Sequence, residues 1–144
     1  MANKEKITIK LNNLKFDAQN PRLPMRLQGV TDENKVIDYM VKYGNVTELM
    51  LSIGETGYSE AEPLLVVKEG TDKYIVVEGN RRLAALKLLN DSELTKVRIQ
   101  SINSVVSGAK YIPEEVPCIV YASREDVLDY LGYRHITGVK DWGA

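Results

Sequence analysis

The sequence predicts an α+β domain, a compact fold in which a small mixed sheet packs with several helices. Two observations carry this prediction. Short apolar or alternating runs, typical of β-strands, occur early, midway and late in the chain, and segments with helical spacing and capping residues lie between them. The 144 residues, 44% hydrophobic and 27% charged, suffice for one core. We therefore interpret residues 1–144 as a single domain, and a longer protein that continues past this segment is compatible with that interpretation.

Four strands are predicted. Residues 7–11 alternate between apolar and polar side chains, the period of an exposed-and-buried strand. The runs 64–68 and 74–78 flank a glycine-containing turn and are expected to form a hairpin. Residues 116–121 are mostly apolar, which favours a strand buried on both faces.

Helices are predicted from caps and apolar spacing. Thr31 is expected to cap a first helix that ends at Gly44. Asn45 and Glu48 have the spacing of a capping box at the start of a second helix, which Gly54 would end.

Three further segments complete the helical prediction. Residues 80–89 are rich in helix formers. Ser123 is expected to cap a last helix that ends at Gly132, and residues 91–113 show apolar residues that suggest another helix without fixing its limits.

Composition excludes several classes of site. A net charge of −1 argues against binding DNA through bulk positive charge. Cys118 is the one cysteine and His135 the one histidine, so neither a disulfide framework nor a structural zinc site is expected, and Cys118 is interpreted as a small buried hydrophobe. No secretory signal or membrane-spanning run is visible, which predicts a cytoplasmic protein without a membrane partner.

The motif with the clearest chemical meaning joins a strand to a helix. An apolar strand ends at Glu78, Gly79 permits a sharp turn, and a helix begins at once, so its first free N–H groups point out of the turn. Arg81 and Arg82 add positive charge where the helix dipole disfavours it, and a bound anion would explain their presence. The alternative is that both arginines are solvated surface residues and Gly79 is an ordinary turn.

Arg81 and Arg82 cannot face the same direction. Successive residues of an α-helix differ by about 100° around its axis. One arginine is therefore expected to reach the ligand, and the other to pair with Glu78, Asp126 or a second phosphate.

The order of these segments resembles the ParB/sulfiredoxin superfamily. The resemblance rests on PLLVV (63–67), YIVVEGNRRLAA (74–85), VPCIV (116–120) and the early Asn20-Pro21-Arg22 box, and it extends over about residues 6–138. It implies a ParB/sulfiredoxin-like fold that binds ATP or CTP with Mg²⁺. In that case Gly79, Asn80, Arg81 and Arg82 would cradle the phosphates.

Glu78 has two interpretations under this resemblance. It matches an acidic residue of several relatives and would bind the magnesium ion or act as a catalytic base. The alternative is a salt bridge between Glu78 and a neighbouring arginine.

Asn80 departs from both branches of the superfamily. Sulfiredoxins have their reactive cysteine at this position, so reduction of sulfinic acids is not expected. ParB proteins have glutamate there, which puts ParB-like CTP hydrolysis in doubt and leaves phosphate binding intact.

Two other groups of residues are candidates for the same cleft. Arg134 and His135 occupy the place of a second phosphate-contacting motif in ParB proteins, and His135 is a candidate catalytic residue; alternatively, His135 and Trp142 pack a C-terminal turn. Asn20 and Arg22 would face the nucleotide or DNA, or form an ordinary loop.

Three functions follow from these alternatives. The first is a nucleotide-binding domain, a switch or weak NTPase in a DNA-associated protein. The second is a metal-dependent nuclease or nickase, and the third is a non-catalytic module that binds DNA or protein. The partners implied are a nucleoside triphosphate, DNA through a further domain, and a second copy in a homodimer.

Overall fold

A computed structural model describes residues 4–134 of the chain, with side chains to residue 132. It confirms an α+β domain with one mixed sheet. The strands are β1 (Glu5–Lys10), β2 (Leu14–Phe16), β3 (Leu64–Glu69), β4 (Lys73–Glu78) and β5 (Glu115–Tyr121). The helices are α1 (Glu33–Tyr43), α2 (Val46–Thr56), α3 (Asn80–Asn90), α4 (Ile99–Gly108) and α5 (Arg124–Arg134).

The strands lie in the order β1-β5-β3-β4-β2. β3 and β4 form the predicted antiparallel hairpin, and β1 pairs antiparallel with β5. β5 pairs parallel with β3, and β2 pairs parallel with β4. Strand β4 therefore lies between β3 and β2, and Gly79 directly follows its C-terminal end.

The two faces of the sheet carry unequal cores. Helices α1 to α4 contribute to the larger core, which includes Leu64, Val66, Val116 and Cys118 from the strands. Helix α5 covers the other face with a small cluster of Leu65, Val77, Tyr121 and Val127. Strand β5 contributes to both cores, which confirms that it is buried on both faces.

Three predicted helix boundaries were wrong. Asp32 rather than Thr31 caps α1, because the Asp32 carboxylate accepts the Asn34 N–H at 3.0 Å. Gly54 lies inside α2, where an added Cβ would be 3.0 Å from the Cβ of Ala109; glycine permits close packing there, and α2 ends at Thr56. Gly132 lies inside α5, whose packing on the sheet outweighs the cost of about 1 kcal/mol for a helical glycine.

The predicted caps at Asn45 and Ser123 had different outcomes. Asn45 has a φ of 57° and makes no cap bond to the backbone; its Nδ2 instead donates to the Glu48 carboxylate at 2.8 Å. The Ser123 hydroxyl accepts the Asp126 N–H at 3.2 Å, which confirms the second cap. The helix suggested within residues 91–113 is α4.

Cys118 is fully buried, and this burial raises its pKa to about 12. The interpretation of Cys118 as a small core residue is therefore confirmed. None of the helices in residues 4–134 is long and apolar enough to cross a membrane.

Candidate functional site

The β4–α3 junction has the geometry expected of a tight strand-to-helix turn. Gly79 caps α3 with φ 106° and ψ 18°, a conformation that side chains rarely adopt. A Cβ at this position would lie 2.5 Å from Cδ2 of Leu64 on β3. Glycine is thus required twice, by the backbone angle and by the neighbouring strand.

The start of α3 leaves donors without intrahelical partners. The first N–H groups of a helix have no carbonyl four residues before them, and Gly79 has no side chain with which to cap them. The first turn contains no acidic residue. Backbone donors and the helix dipole therefore combine with the two arginines to favour an anion.

A cleft of about 160 Å³ opens at this junction. Its walls come from the loop before α1, from α2, from the segment before β3, and from the end of β4 with the start of α3. The lining residues are Asn20, Arg22, Leu49, Glu62, Val77, Glu78, Gly79, Asn80, Arg81 and Arg82. The fold thus brings Asn20 and Arg22 to the same cleft as the four predicted phosphate-binding residues and Glu78.

Arg81 and Arg82 have different surroundings, as their helical positions require. Arg82 donates from Nη1 to the Glu62 carbonyl at 2.9 Å and to the Tyr58 hydroxyl oxygen at 3.3 Å, and lies 3.7 Å from the Glu62 carboxylate. The expectation that one arginine pairs internally holds, but its partner is Glu62 rather than Glu78 or Asp126. Burial is the main cause of a raised pKa of Tyr58, opposed by the charge of Arg82.

Arg81 is the arginine that stays unpaired. Its Nε is buried without a hydrogen-bond partner, and its guanidinium forms no ion pair within the part of the chain that the structure describes. Burial lowers the pKa of Arg81, and the nearby charges of Arg22 and Arg82 lower it further, against an opposing effect of Glu48. Three arginines therefore line one cleft, and within residues 4–132 no carboxylate forms an ion pair with Arg81.

Asn80 and Asn20 use their side chains to hold backbone. Asn80 is 2% exposed, and its amide donates to the Val76 carbonyl at 2.8 Å and accepts the Asp17 N–H at 3.1 Å. The Asn20 amide oxygen accepts the Arg22 N–H at 3.0 Å. Contact of either side chain with a phosphate stays a prediction.

Glu78 ends β4 half-buried and lines the cleft. It forms no ion pair with Arg81 or Arg82 among the described residues, so the salt-bridge alternative is not observed. Residues 4–132 contain no group of three or more side chains suited to hold a metal ion. The magnesium-binding and catalytic roles of Glu78 stay predictions, and a metal here would need phosphate oxygens as further ligands.

The C-terminal candidates lie at or beyond the end of the described chain. Arg134 is the last residue of α5, about 15 Å along the helix axis from Arg124. Nothing is described of its side chain, and His135 and Trp142 lie outside the described residues. Their place at the cleft stays a prediction.

Sequence reasoning missed Tyr58, Glu62 and Asp17. Tyr58 and Glu62 lie in the irregular segment before β3, whose approach to Arg82 no local pattern indicates. Asp17 is 3% exposed and bonds both Asn80 and Arg124.

Two comparisons with known proteins bear on this geometry. The C-terminally truncated chromosome-partitioning protein ParB from Caulobacter crescentus, crystallised with CTP-γ-S, shares the fold with a TM-score of 0.52 and 18% sequence identity. The match covers 94% of this chain and 55% of that one, so the chain spans about half the length of its solved relative.

No curated protein gives a significant match. The ParB N-terminal domain family, in contrast, matches residues 2–126, which include every strand, the first four helices and the whole cleft. The chain belongs to the ParB N-terminal domain family.

Proposed function

We propose that this domain binds a nucleoside triphosphate with Mg²⁺ and holds its phosphates at the start of α3. The observation that carries the proposal is Arg81, an arginine of the cleft whose Nε is buried without a hydrogen-bond partner and whose guanidinium has no ion pair among the described residues. Burial lowers the pKa of Arg81, and the nearby charges of Arg22 and Arg82 lower it further. Such a cluster is unfavourable by itself, and an anion bound between the three guanidinium groups would remove the repulsion.

The number and origin of the charges favour several phosphates over one. Arg22 comes from a loop, and Arg81 and Arg82 leave α3 in directions about 100° apart, so together they span more than one phosphate group. The cleft of about 160 Å³ is smaller than the several hundred cubic ångströms typical of a whole-ligand pocket. It suits the phosphates, and the base would extend beyond it.

Magnesium fits the remaining charges. Glu62 and Glu78 also line the cleft and would repel a triphosphate. Mg²⁺ is usually held by one or two carboxylates together with phosphate oxygens, and Glu78 is the residue proposed here as its protein ligand. The ion would compensate charge and orient the phosphates.

The proposed role is that of a nucleotide switch within a DNA-associated protein, with DNA contacted by a further domain and a homodimer as the assembly. Membership of the ParB N-terminal domain family and the CTP-γ-S bound to the Caulobacter protein support this choice. CTP and ATP are therefore the first nucleotides to test.

Isothermal titration of the protein with CTP, ATP and GTP, each with Mg²⁺, tests the proposal. We expect saturable binding of at least one nucleotide, and a loss of about tenfold or more in the Arg81→Ala, Arg82→Ala double variant, since charge-assisted bonds to phosphate would be lost. Inorganic tripolyphosphate with Mg²⁺ should compete. The matched control is Lys87→Ala, which removes a cation from the last turn of the same helix.

Two outcomes would overturn the proposal. One is no binding of any of the three nucleotides, and the other is equal affinity in the wild type and the double arginine variant. Hydrolysis is measured separately as phosphate release. If Glu78→Gln loses turnover but keeps its affinity for the nucleotide, Glu78 has a catalytic role. If the wild type and Glu78→Gln turn over equally fast, a catalytic role of Glu78 is excluded.

A further inference from the structure

The buried amide of Asn80 connects two segments that are far apart in sequence. Its Nδ2 donates to the Val76 carbonyl in β4, and its Oδ1 accepts the N–H of Asp17, 63 residues earlier in the chain. With 2% of the residue exposed, the amide has little room for other partners. Its present bonds are structural, although the residue stands in the predicted phosphate motif.

The segment that begins at Asp17 leads directly to Arg22. The Asp17 carboxylate accepts the Gln19 N–H at 2.9 Å, and the Asp17 carbonyl accepts the Asn20 N–H at 3.1 Å. Asn20 in turn accepts the Arg22 N–H through its side chain and the Leu23 N–H through its carbonyl. Because these turns follow one another, the place where Asp17 is anchored determines where Arg22 stands.

Asp17 has a second anchor on the other side of the sheet. Arg124, at the start of α5, lies 2.7 Å from the Asp17 carboxylate and also donates to the Gln19 carbonyl at 3.1 Å. Arg124 does not line the cleft. The 17–22 segment is therefore held from the start of α3 by Asn80 and from the start of α5 by Arg124.

We propose that Asn80 is a positioning residue, which anchors the 17–22 segment so that Arg22 stands beside Arg81 at the cleft. An asparagine meets this need because it donates to one backbone group and accepts from another; aspartate would place a carboxylate against the Val76 carbonyl and beside the buried Asp17. This inference rests on the proposed function, since the purpose of placing Arg22 is to bind phosphate.

A double-mutant cycle distinguishes positioning from direct contact. The probe is inorganic tripolyphosphate with Mg²⁺, because it tests the phosphate site without a base. We expect Asn80→Ala to weaken binding about fivefold to twentyfold in the wild-type background and less than about twofold in the Arg22→Ala background, because coupled residues are not additive. In the Arg82→Ala background the full loss should return, since Tyr58 and Glu62 hold Arg82 independently of the 17–22 segment.

A second variant guards against misfolding. Arg124→Gln releases the 17–22 segment from outside the cleft. If this variant binds tripolyphosphate more weakly, and the loss disappears in the Arg22→Ala background, the loss arises because the segment no longer places Arg22 correctly. Arg124→Gln replaces Asn80→Ala in the experiment if circular dichroism shows that Asn80→Ala is unfolded. Faster amide exchange at Gln19, Asn20, Arg22 and Leu23 in either variant would confirm the loosened anchor without any ligand.

The outcomes separate this inference from the proposed function. If the wild type binds neither tripolyphosphate nor nucleotide, the proposed function fails and this inference fails with it. If the wild type binds and the losses from Asn80→Ala and Arg22→Ala are additive, Asn80 contacts the ligand itself or acts elsewhere, and this inference alone is wrong.

Discussion

The two ends of helix α3 carry clefts of opposite character. At its start, a small cleft of about 160 Å³ is lined by Arg22, Arg81 and Arg82. At its end, a groove of about 860 Å³ is lined mainly by polar residues, with more acids than bases. The groove residues are Lys10, Leu11, Asn12, Glu33, Lys87, Asn90, Asp91, Leu94, Ile112, Glu114 and Glu115.

The larger cavity is the less informative of the two. In the groove, Lys87 pairs with Glu33 at 3.0 Å, and the Asn90 amide donates to the Leu86 and Pro113 carbonyls. Lys87, Glu33 and Asn90 therefore have partners within the fold. At the start of α3, Arg81 has no such partner among the described residues. An uncompensated charge therefore points to a ligand more reliably than the volume of a cavity does.

The largest expected effect tests the turn that opens the cleft. Gly79→Ala should lower the free energy of unfolding by about 2–4 kcal/mol, because a strained positive φ is combined with a Cβ contact of 2.5 Å to Leu64. Gly70→Ala is the matched control, since Gly70 has a φ of +72° but open space around its Cβ, and it should cost about 1–2 kcal/mol. Urea unfolding followed by circular dichroism measures both, and equal losses would show that the Leu64 contact carries no energy.

A smaller effect compares the cations at the two ends. Arg81→Met should leave the stability of the ligand-free protein unchanged or raise it by up to about 1 kcal/mol, since it removes a partly buried charge and its repulsion by Arg22 and Arg82. Lys87→Met should lower the stability by about 1 kcal/mol through loss of the pair with Glu33, in which the lysine side chain is 12% and the glutamate side chain 38% exposed. Thermal unfolding in phosphate-free buffer provides the measurement. If Arg81→Met is less stable than the wild type and Lys87→Met is equally stable, then Lys87 and not Arg81 is the uncompensated cation.

The smallest effect compares carboxylates at the two ends. Glu62→Gln should strengthen tripolyphosphate binding by up to about fivefold, because it removes a negative charge that lines the cleft and lies 3.7 Å from Arg82, while the Arg82 bond to the Glu62 carbonyl stays. The Glu114→Gln, Glu115→Gln double variant should change it by less than about twofold, since surface charges separated by more than about 8 Å are screened at physiological salt. Calorimetry in 0.15 M salt distinguishes the two. A larger effect at the groove would mean that the site extends along α3.

Most elements of the fold were predictable from the sequence. The β3–β4 hairpin, the glycine turn and helix α3 follow from local signals within a few residues. β2 was not predicted, because it has only three residues and pairs parallel with β4. Parallel strands are not joined by a tight turn, so no turn residues mark the pairing in the sequence. The limits of α2 and α5 were wrong because packing against other elements overrode their glycines.

The sequence by itself determined the glycine turn at Gly79, the helix start that carries Arg81 and Arg82, and the division between one paired and one unpaired arginine. These are properties of a short segment and of the α-helical repeat. The tertiary structure decided that Glu62 is the partner of Arg82, that Arg22 joins Arg81, and that Asn80 holds Asp17. Such contacts join residues 20 to 63 positions apart, where chain topology rather than local preference sets the distance.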